Sequence, residues 1–333
     1  MTGRFRILAL FLCLWVLFLP VASSAQNTER TSGVGFYFDT VVTVTLYGAP
    51  EGLMDIIWQD CAFYEHMLSK TVDGSDVDRI NHSAGEPVKV SEETFEILKR
   101  AKEISQETDG AFSITIAPLT ALWDFTGGTE RMPTDEERLE KLPLVNDSLL
   151  RLEEGCMVTL PAGLEIDLGG IAKGYIADQI AAHIRDQVLG AILNFGGNVY
   201  VVGQKPDGSS FRVGIRDPLG PEGSSCAVVS VADISVVTSG IYERYFIRDN
   251  VRYHHILDPK TGSSAQTDLA SATIVSESSM TADAMATACI VMGSEQALSY
   301  LSRCGADAVL ILRDGTFLST EGFEEKCGFQ PLP

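Results

Sequence analysis

Residues 33–48 read GVGFYFDTVVTVTLYG, a stretch filled with β-branched and aromatic side chains. This composition predicts one long strand or a pair of strands. Strand-like segments recur at 191–203, 226–240 and 251–259, and residues 307–319 carry Asp-Gly at the turn of a predicted hairpin. Strands that follow one another through short turns favour antiparallel pairing. The chain is therefore predicted to be an α+β protein with a mixed, mostly antiparallel sheet.

Segments with the apolar spacing of helices lie between these strands and are expected to flank the sheet. Ser91 is a typical N-cap residue and starts one of them. The predicted helices are 53–69, 92–110, a short charged one at 134–142, 171–188 and 279–303. The sequence contains neither a repeat nor a linker, so residues 26–333 are predicted to form a single domain, with two lobes as the alternative organisation.

The first 25 residues differ from the rest of the chain. Two arginines precede an unbroken apolar run, and small residues end it at Ala25. This order predicts a secretory signal peptide over residues 1–25. The run is shorter than the roughly 20 residues that usually span a bilayer, so a permanent anchor is the weaker alternative. The mature protein is expected to be exported, in the periplasm or at the outer face of the inner membrane.

Charge restricts the possible ligands. Without Arg4 and Arg6 the chain keeps 23 basic and 45 acidic residues, a formal charge of −22. Such a surface repels nucleic acid and anionic lipid. A phosphorylated ligand would therefore need a metal ion or a local basic group. Six cysteines follow the predicted signal peptide, and Cys304 and Cys327 are the candidate pair for a disulfide because they flank the predicted 307–319 hairpin.

Residues 281–293, TADAMATACIVMG, predict a core helix that nevertheless carries a carboxylate and a hydroxyl. Asp283 and Thr287 are four residues apart, so they project from one face of a helix. Their oxygens suit a hard cation such as Mg²⁺. The alternative is an acidic residue that favours the helix dipole, with a threonine bonded back to a main-chain carbonyl. Spacing alone favours the alternative.

Two further segments suggest contact with a ligand. Residues 165–178, EIDLGGIAKGYIAD, place two glycines before a helix and Lys173 in its first turn, which suits an anion. Residues 253–262, YHHILDPKTG, carry two consecutive histidines. Neighbouring residues of a strand face opposite ways, so either His254 or His255 can face a given pocket. The patterns of serine hydrolases, zinc proteases and kinases are absent from the sequence.

Taken in order, seven segments resemble the ApbE family of flavin transferases, and the resemblance covers roughly Gly35 to Leu318. The segments are SDVDRIN, TDGAFSITIAPLTALWDF, EIDLGGIAKGYIAD, NFGGNVYVVG, TSGIYERYF, YHHILDPKTG and TADAMATACIVMG. The resemblance implies transfer of FMN from FAD to a threonine or serine of another protein, with Mg²⁺ at the pyrophosphate and release of AMP. The acceptor is expected to be an exported or membrane electron-transfer protein with an Asp-x-x-Thr-[Ser/Ala]-[Thr/Ser] segment, so that membrane proximity arises only through the acceptor.

The resemblance also implies roles for individual residues. Asp283, Thr287 and the carbonyl of Ala172 are expected to bind Mg²⁺, and His255 or a metal-bound carboxylate is expected to take the proton of the acceptor hydroxyl. The implied FAD contacts are Phe38, Ala111, Phe112, Ser113, Gly169, Gly170, Lys173, Tyr175 and the main chain near Leu257.

Three positions depart from the family pattern. Phe38 and Asp39 stand where relatives often have Met-Gly, Thr71 stands where many have an aromatic residue, and Ser113 stands where the usual residue is an aspartate. The first two bear on binding of the flavin ring and the third on a polar contact. Two other functions stay open at this stage: an FAD pyrophosphatase that releases FMN and AMP, and a flavin-binding protein that stores or delivers the cofactor without catalysis.

Overall fold

The computed structural model describes residues 28–125 and 128–333 of the 333-residue chain. The predicted signal peptide lies outside the described residues. Within the described part, no helix is long and apolar enough to cross a membrane.

Sixteen strands are found in the described part of the chain. They are β1 Arg30–Tyr37, β2 Thr40–Tyr47, β3 Val88–Lys89, β4 Arg151–Glu153, β5 Met157–Thr159, β6 Gly190–Phe195, β7 Asn198–Gly203, β8 Phe211–Arg216, β9 Ser225–Val231, β10 Ile234–Gly240, β11 Tyr245–Arg248, β12 Val251–His254, β13 Leu269–Ser276, β14 Asp307–Leu312, β15 Phe317–Ser319 and β16 Gln330–Pro331.

Eight strands form the main sheet, in the order β1-β2-β6-β7-β10-β13-β14-β15. All of its neighbouring strands pair antiparallel, so the sheet is more uniform than the mixed one that was predicted. Residues 33–48 form the hairpin β1–β2, and Phe38 and Asp39 make its turn with φ of 56° and 55°. Because one sheet runs through the whole fold, the prediction of a single α+β domain is confirmed.

The helices lie between the strands, as predicted. They are α1 Leu53–Leu68, α2 Asp76–Asn81, α3 Glu92–Glu107, α4 Ala117–Thr120, α5 Asp135–Lys141, α6 Ala172–Ile184, α7 Ser279–Met292, α8 Ser294–Cys304 and α9 Phe323–Lys326, with 3-10 turns at Leu142–Leu144, Asp147–Leu149 and Arg185–Gln187. The single helix predicted over 279–303 is in fact α7 and α8. Gly293 separates them because its φ of 79° is incompatible with a continuing α-helix.

Alternation along the strands separates two apolar layers. Ala308 and Leu310 of β14 face α7 and α8, whereas Val309 and Ile311 face the opposite layer, which includes residues of β8 and β9 and Phe323 of α9. Helix α7 packs on β10, β13 and α6. Its alanines at 282, 284, 286 and 288 are fully buried, and these small side chains allow the helix to lie close to its neighbours.

The same alternation shows that the predicted Cys304–Cys327 disulfide is wrong. Both thiols are free. Cys304 is exposed at the end of α8, on one face of the sheet, whereas Cys327 is buried with Phe323 in the layer on the other face. The hairpin that Cys304 and Cys327 flank in sequence therefore separates them in space.

Reducing agent is expected to leave the thermal unfolding midpoint unchanged, since none of the cysteines in the described part is paired. A thiol reagent should modify Cys304 first, because burial raises the pKa of the Cys327 thiol to about 11. Calorimetry with and without reductant, and peptide mapping after brief labelling, measure the two effects. A midpoint that falls with reductant would contradict the assignment of free thiols.

Candidate functional site

A cavity of about 810 Å³ opens beside the β1–β2 turn and extends to α7. Its walls come from eight parts of the chain: the β1–β2 turn, the segment after α1, the segment 111–125, the glycines before α6 with the start of α6, the β6–β7 turn, the end of β10, the segment after β12 and the face of α7. Eleven of the residues predicted to contact Mg²⁺ or FAD or to act in catalysis line it, namely Phe38, Ala111, Phe112, Ser113, Gly169, Ala172, Lys173, His255, Leu257, Asp283 and Thr287. Gly170, which was also predicted to contact FAD, lines it as the twelfth such residue.

Tyr175 is the exception. Its ring is buried in the core with an edge-on contact to Tyr64, at 6.0 Å between ring centres, and Tyr175 does not line the cavity. On an α-helix the side chains of residues 173 and 175 point about 200° apart, so a helix that turns Lys173 toward the cavity turns Tyr175 away from it. The structure therefore does not place Tyr175, a predicted FAD contact, at the cavity wall.

Asp283 lies at the crossing of α6 and α7. Its side chain is almost fully buried, and Oδ2 accepts hydrogen bonds from Gly174 N at 3.1 Å and Lys173 Nζ at 3.4 Å. Thr287 follows one turn later, with its Oγ1 3.3 Å from Ser239 Oγ. Asp283 and Thr287 both line the cavity, so the structure brings their oxygens to one wall, as the helical spacing predicted.

Helix α6 fixes the start of α7 through Asp178. This carboxylate accepts hydrogen bonds from Ser279 N at 2.7 Å and Met280 N at 3.0 Å, two main-chain groups that the first turn of a helix leaves unpaired. Burial raises the pKa of Asp178 to about 6, although these hydrogen bonds favour its charged form. The nearby charge of Asp283 acts in the same direction as burial, so this end of the α6–α7 crossing has a concentration of negative charge.

The residues at the crossing fit a hard divalent cation. Both hydrogen bonds that Asp283 accepts from described residues go to Oδ2, so Oδ1 is available to a cation. The described residues contain no cluster of three or more His, Cys, Asp or Glu side chains that could hold a metal. A cation here must therefore take other ligands from hydroxyl and main-chain oxygens, water or phosphate, which is the way proteins usually bind Mg²⁺.

Lys70 and Asp167 form a charged pair on another wall, which the sequence analysis did not identify. Lys70 Nζ is 2.7 Å from Asp167 Oδ2, and Gly169 N donates to Asp167 Oδ1 at 2.8 Å. Burial opposes ionisation of Asp167, but the Lys70 charge and these hydrogen bonds hold its pKa below the usual value. The two residues are 97 positions apart in sequence, so only the fold reveals the pair.

The two histidines separate as the strand geometry predicted. His254 is fully buried and its Nε2 lies 2.8 Å from the carbonyl oxygen of Ala265, which makes it a structural residue. His255 lines the cavity, and its buried Nδ1 has no hydrogen-bond partner among the described residues. Burial, with a contribution from the Arg244 charge, lowers the pKa of His255 to about 3. The imidazole is therefore neutral at pH 7 and able to accept a hydrogen bond or a proton.

His254 is expected to make the protein less stable in mild acid. Burial lowers its pKa to about 4, below the unfolded value of 6.5. Between these two pH values the unfolded chain binds a proton that the folded chain does not, so stability is full above pH 6.5 and falls as the pH drops toward 4. The loss is about 3 kcal/mol, since one pKa unit corresponds to 1.36 kcal/mol.

Urea unfolding of the wild type and of His254→Gln at several pH values measures this effect. The amide of glutamine can still donate to Ala265, so the variant should lose the part of the pH dependence that His254 supplies, while the part due to His255, whose pKa burial lowers to about 3, remains. Replacement of the exposed His66 by glutamine is the matched control and should keep the wild-type dependence. An equally steep loss of stability in His254→Gln would contradict the assignment.

Comparison with known proteins shows to which family the chain belongs. The family model described as ApbE family matches residues 38–310, which is most of the chain. The chain belongs to the ApbE family. The FAD:protein FMN transferase of Treponema pallidum (strain Nichols) is 36% identical over 280 residues, covering 79% of this chain and 77% of the relative. The FAD:protein FMN transferase of Klebsiella pneumoniae (strain 342) is 34% identical over 296 residues, covering 87% and 91%.

Solved ApbE structures show the same fold. The ApbE protein of Thermotoga maritima superposes with a TM-score of 0.82 at 33% identity, over 89% of this chain and 99% of that one. The apo form of the flavinyl transferase ApbE of Pseudomonas stutzeri gives a TM-score of 0.80 at 29% identity, over 90% and 97%. The prediction of membership in this family of flavin transferases is confirmed. The roles assigned to single residues stay predictions.

The structure shows the surroundings of two positions that depart from the expected pattern, Asp39 and Ser113. Asp39 has a left-handed φ of 55°, a conformation that favours glycine. Its side chain is exposed, so no buried neighbour obstructs it in this conformation. Glu65 Oε1 accepts the main-chain N–H of Phe38 at 2.7 Å and fixes the turn. Ser113, in place of the usual aspartate, lies 2.6 Å from a carboxylate oxygen of Asp147.

Proposed function

We propose that this protein transfers FMN from FAD to a threonine or serine of another protein, in a Mg²⁺-dependent reaction that releases AMP. One observation carries the proposal: a single cavity joins an apolar and aromatic region, including Phe38, Phe112 and Trp123, to the oxygens of Asp283 and Thr287. Its volume of about 810 Å³ lies in the range of ordinary small-molecule sites. The relatives that bear the name FAD:protein FMN transferase support the same reaction.

Different residues of the cavity would bind the cation, add positive charge and leave room for the substrate. Asp283, Thr287 and the carbonyl of Ala172 would hold Mg²⁺, which when bound neutralises charge on the pyrophosphate. Lys173 lies beside Asp283 and adds positive charge at the same wall in a strongly acidic protein. Gly169 and Gly170 present main chain without side chains, so a phosphate or ribityl group can approach closely.

The transfer step requires one proton acceptor. The acceptor hydroxyl oxygen forms a bond to the phosphorus of the FMN half, the bond from that phosphorus to the AMP oxygen breaks, and AMP leaves. His255 is neutral and lines the cavity, so it is one candidate for the group that takes the hydroxyl proton. Its low pKa makes it a weak base, so the carboxylate of Asp283 is the other candidate.

The acceptor is proposed to be an exported or membrane electron-transfer protein. The support is the predicted signal peptide of residues 1–25, from which we infer a location in the periplasm or at the outer face of the inner membrane. Association with the membrane is then a property of the acceptor. The negative charge of the mature chain argues against nucleic acid as a partner.

Mass spectrometry of an acceptor domain incubated with the protein, FAD and Mg²⁺ tests the proposal. We expect the acceptor with an Asp-x-x-Thr-[Ser/Ala]-[Thr/Ser] segment to gain one FMN, and the gain to vanish with EDTA or when its threonine is replaced by alanine. Release of AMP and free FMN without an adduct would instead identify an FAD pyrophosphatase. Binding of FAD without formation of AMP would identify a flavin carrier.

A further inference from the structure

Asp147 is a buried carboxylate that does not line the cavity but holds part of its wall. It lies in the 3-10 turn Asp147–Leu149, and its side chain accepts four hydrogen bonds from one short segment. Oδ1 accepts from Ser113 Oγ at 2.6 Å, from Thr115 N at 3.0 Å and from Thr115 Oγ1 at 2.6 Å, and Oδ2 accepts from Ile114 N at 3.1 Å. Within the described part of the chain, none of the ion pairs involves Asp147, so these hydrogen bonds alone offset its charge.

The segment bound by Asp147 forms one wall of the cavity and is hydrogen-bonded to a second wall. Ser113 lines the cavity directly, and so do Ala111 and Phe112 before it. Ile114, whose N–H is bonded to Asp147, accepts a hydrogen bond from Asp167 N at 2.8 Å through its carbonyl. Asp167 begins the wall that continues into the glycines at 169 and 170. One carboxylate therefore positions both the 111–113 wall and the 167–170 wall.

The contact with Asp147 also decides which kind of hydrogen bond Ser113 can offer a ligand. An ionised carboxylate only accepts hydrogen bonds, and a serine hydroxyl has a single proton. At 2.6 Å from Asp147, Ser113 must use that proton on the carboxylate. The oxygen of Ser113 therefore presents only lone pairs to the cavity, and the ligand group beside it must be a donor.

We propose that Asp147 is a positioning residue for the flavin nucleotide, and that Ser113 accepts a hydrogen bond from an O–H or N–H group of that nucleotide. The inference rests on the proposed use of FAD as substrate. FAD carries suitable donors in its ribityl and ribose hydroxyls, its adenine amino group and the N–H of its flavin ring. The carboxylate beside Ser113 comes from position 147 of this chain, 34 residues away in sequence.

Titration calorimetry with FAD and steady-state kinetics of Asp147→Asn, Ser113→Ala and the double variant test the proposal. The amide introduced at position 147 would leave either Ile114 N–H or the donors at Oδ1 without an acceptor, so the segment should shift. We expect Asp147→Asn and Ser113→Ala each to raise the Kd and KM for FAD by about 10-fold, the effect of one lost charge-assisted hydrogen bond, with kcat within about two-fold of the wild type. The double variant should bind FAD no more weakly than Asp147→Asn, because both changes break one network.

Asp207→Asn is the matched control. Asp207 accepts hydrogen bonds from Ser209 N at 2.9 Å and Ser209 Oγ at 2.6 Å, but it is exposed and does not line the cavity, so FAD affinity should not change. A purely structural role for Asp147 would lower the unfolding midpoint and leave Kd unchanged well below it, and that result would overturn the inference. Additive losses of FAD affinity in the double variant would overturn the inference as well. If Asp147→Asn does not fold, an unchanged KM in Ser113→Ala overturns it. Failure of the wild type to bind FAD would instead overturn the proposed function.

Discussion

Replacement of Asp283 by alanine is expected to slow FMN transfer by at least about 100-fold while changing the affinity for FAD much less, because a metal ligand acts mainly on charge that develops at the phosphate. The side chain is only 2% exposed, and it combines a carboxylate at the cavity wall with a hydrogen bond that fixes Gly174 of α6. Loss of the carboxylate removes one of the two side-chain ligands proposed for the cation. Initial rates of FMN transfer in excess Mg²⁺, together with FAD titration, separate the two effects.

Asp283→Asn distinguishes loss of charge from loss of packing. Asparagine keeps an oxygen that can accept from Gly174 N–H but has no negative charge, so it should fold normally and still transfer FMN slowly. Asp268→Ala is the control. Asp268, like Asp283, accepts a hydrogen bond from a main-chain N–H in the first turn of a helix, in this case Ser294 N at 2.9 Å, but it does not line the cavity. The control should retain its catalytic rate. Rates close to wild type in both Asp283 variants would disprove the metal assignment.

Replacement of Gly174 by alanine is expected to have the second large effect, on stability and activity together. A Cβ at this position would lie 2.2 Å from the main-chain oxygen of Ser279 and 2.7 Å from the Cα of Met280. These are backbone atoms of α7, so the contact can be relieved only if α6 and α7 move apart. The separation would weaken the hydrogen bond from Gly174 N to Asp283 and the hydrogen bonds that Asp178 accepts from the start of α7.

We expect Gly174→Ala to lower the free energy of unfolding by about 3 kcal/mol, the upper part of the range for overpacked sites, and to reduce FMN transfer at temperatures where the variant is still folded. Ala182→Gly is the matched control, because it changes one methyl group at an exposed position of the same helix. It should cost about 1 kcal/mol through helix propensity and leave the catalytic rate unchanged. Wild-type stability in Gly174→Ala would show that the helices do not cross as closely as described.

Much of the fold could be predicted from local pattern. The strand signal at 33–48, the Asp-Gly turn of the last hairpin and the helix that starts after Ser91 all depend on neighbours in sequence, and the structure has each of them. The end of α7 was missed because apolar spacing continues across Gly293, and only its positive φ shows the break. The Cys304–Cys327 disulfide was wrong because proximity in sequence does not fix the face of the sheet.

Some residues of the site could be predicted from the sequence and others could not. Asp283 and Thr287 share a helix face by spacing alone, so sequence was enough to associate them. Sequence did not show that Tyr175 faces the core, because a motif names residues without regard to the direction of each side chain on its helix. The pairs Lys70–Asp167 and Ser113–Asp147 carry no signal that could have found them, since 97 and 34 residues separate their members.

By itself the sequence determined the class of fold, the family and the identity of most groups at the cavity, because these follow from periodicity and from ordered motifs. The tertiary structure decided which of those groups meet, which histidine is structural, and which buried carboxylates hold the walls in place. Hydrogen bonds such as those of Asp147 and Asp178 join elements that are remote along the chain. Their geometry depends on how whole helices and strands pack, and local sequence does not encode that packing.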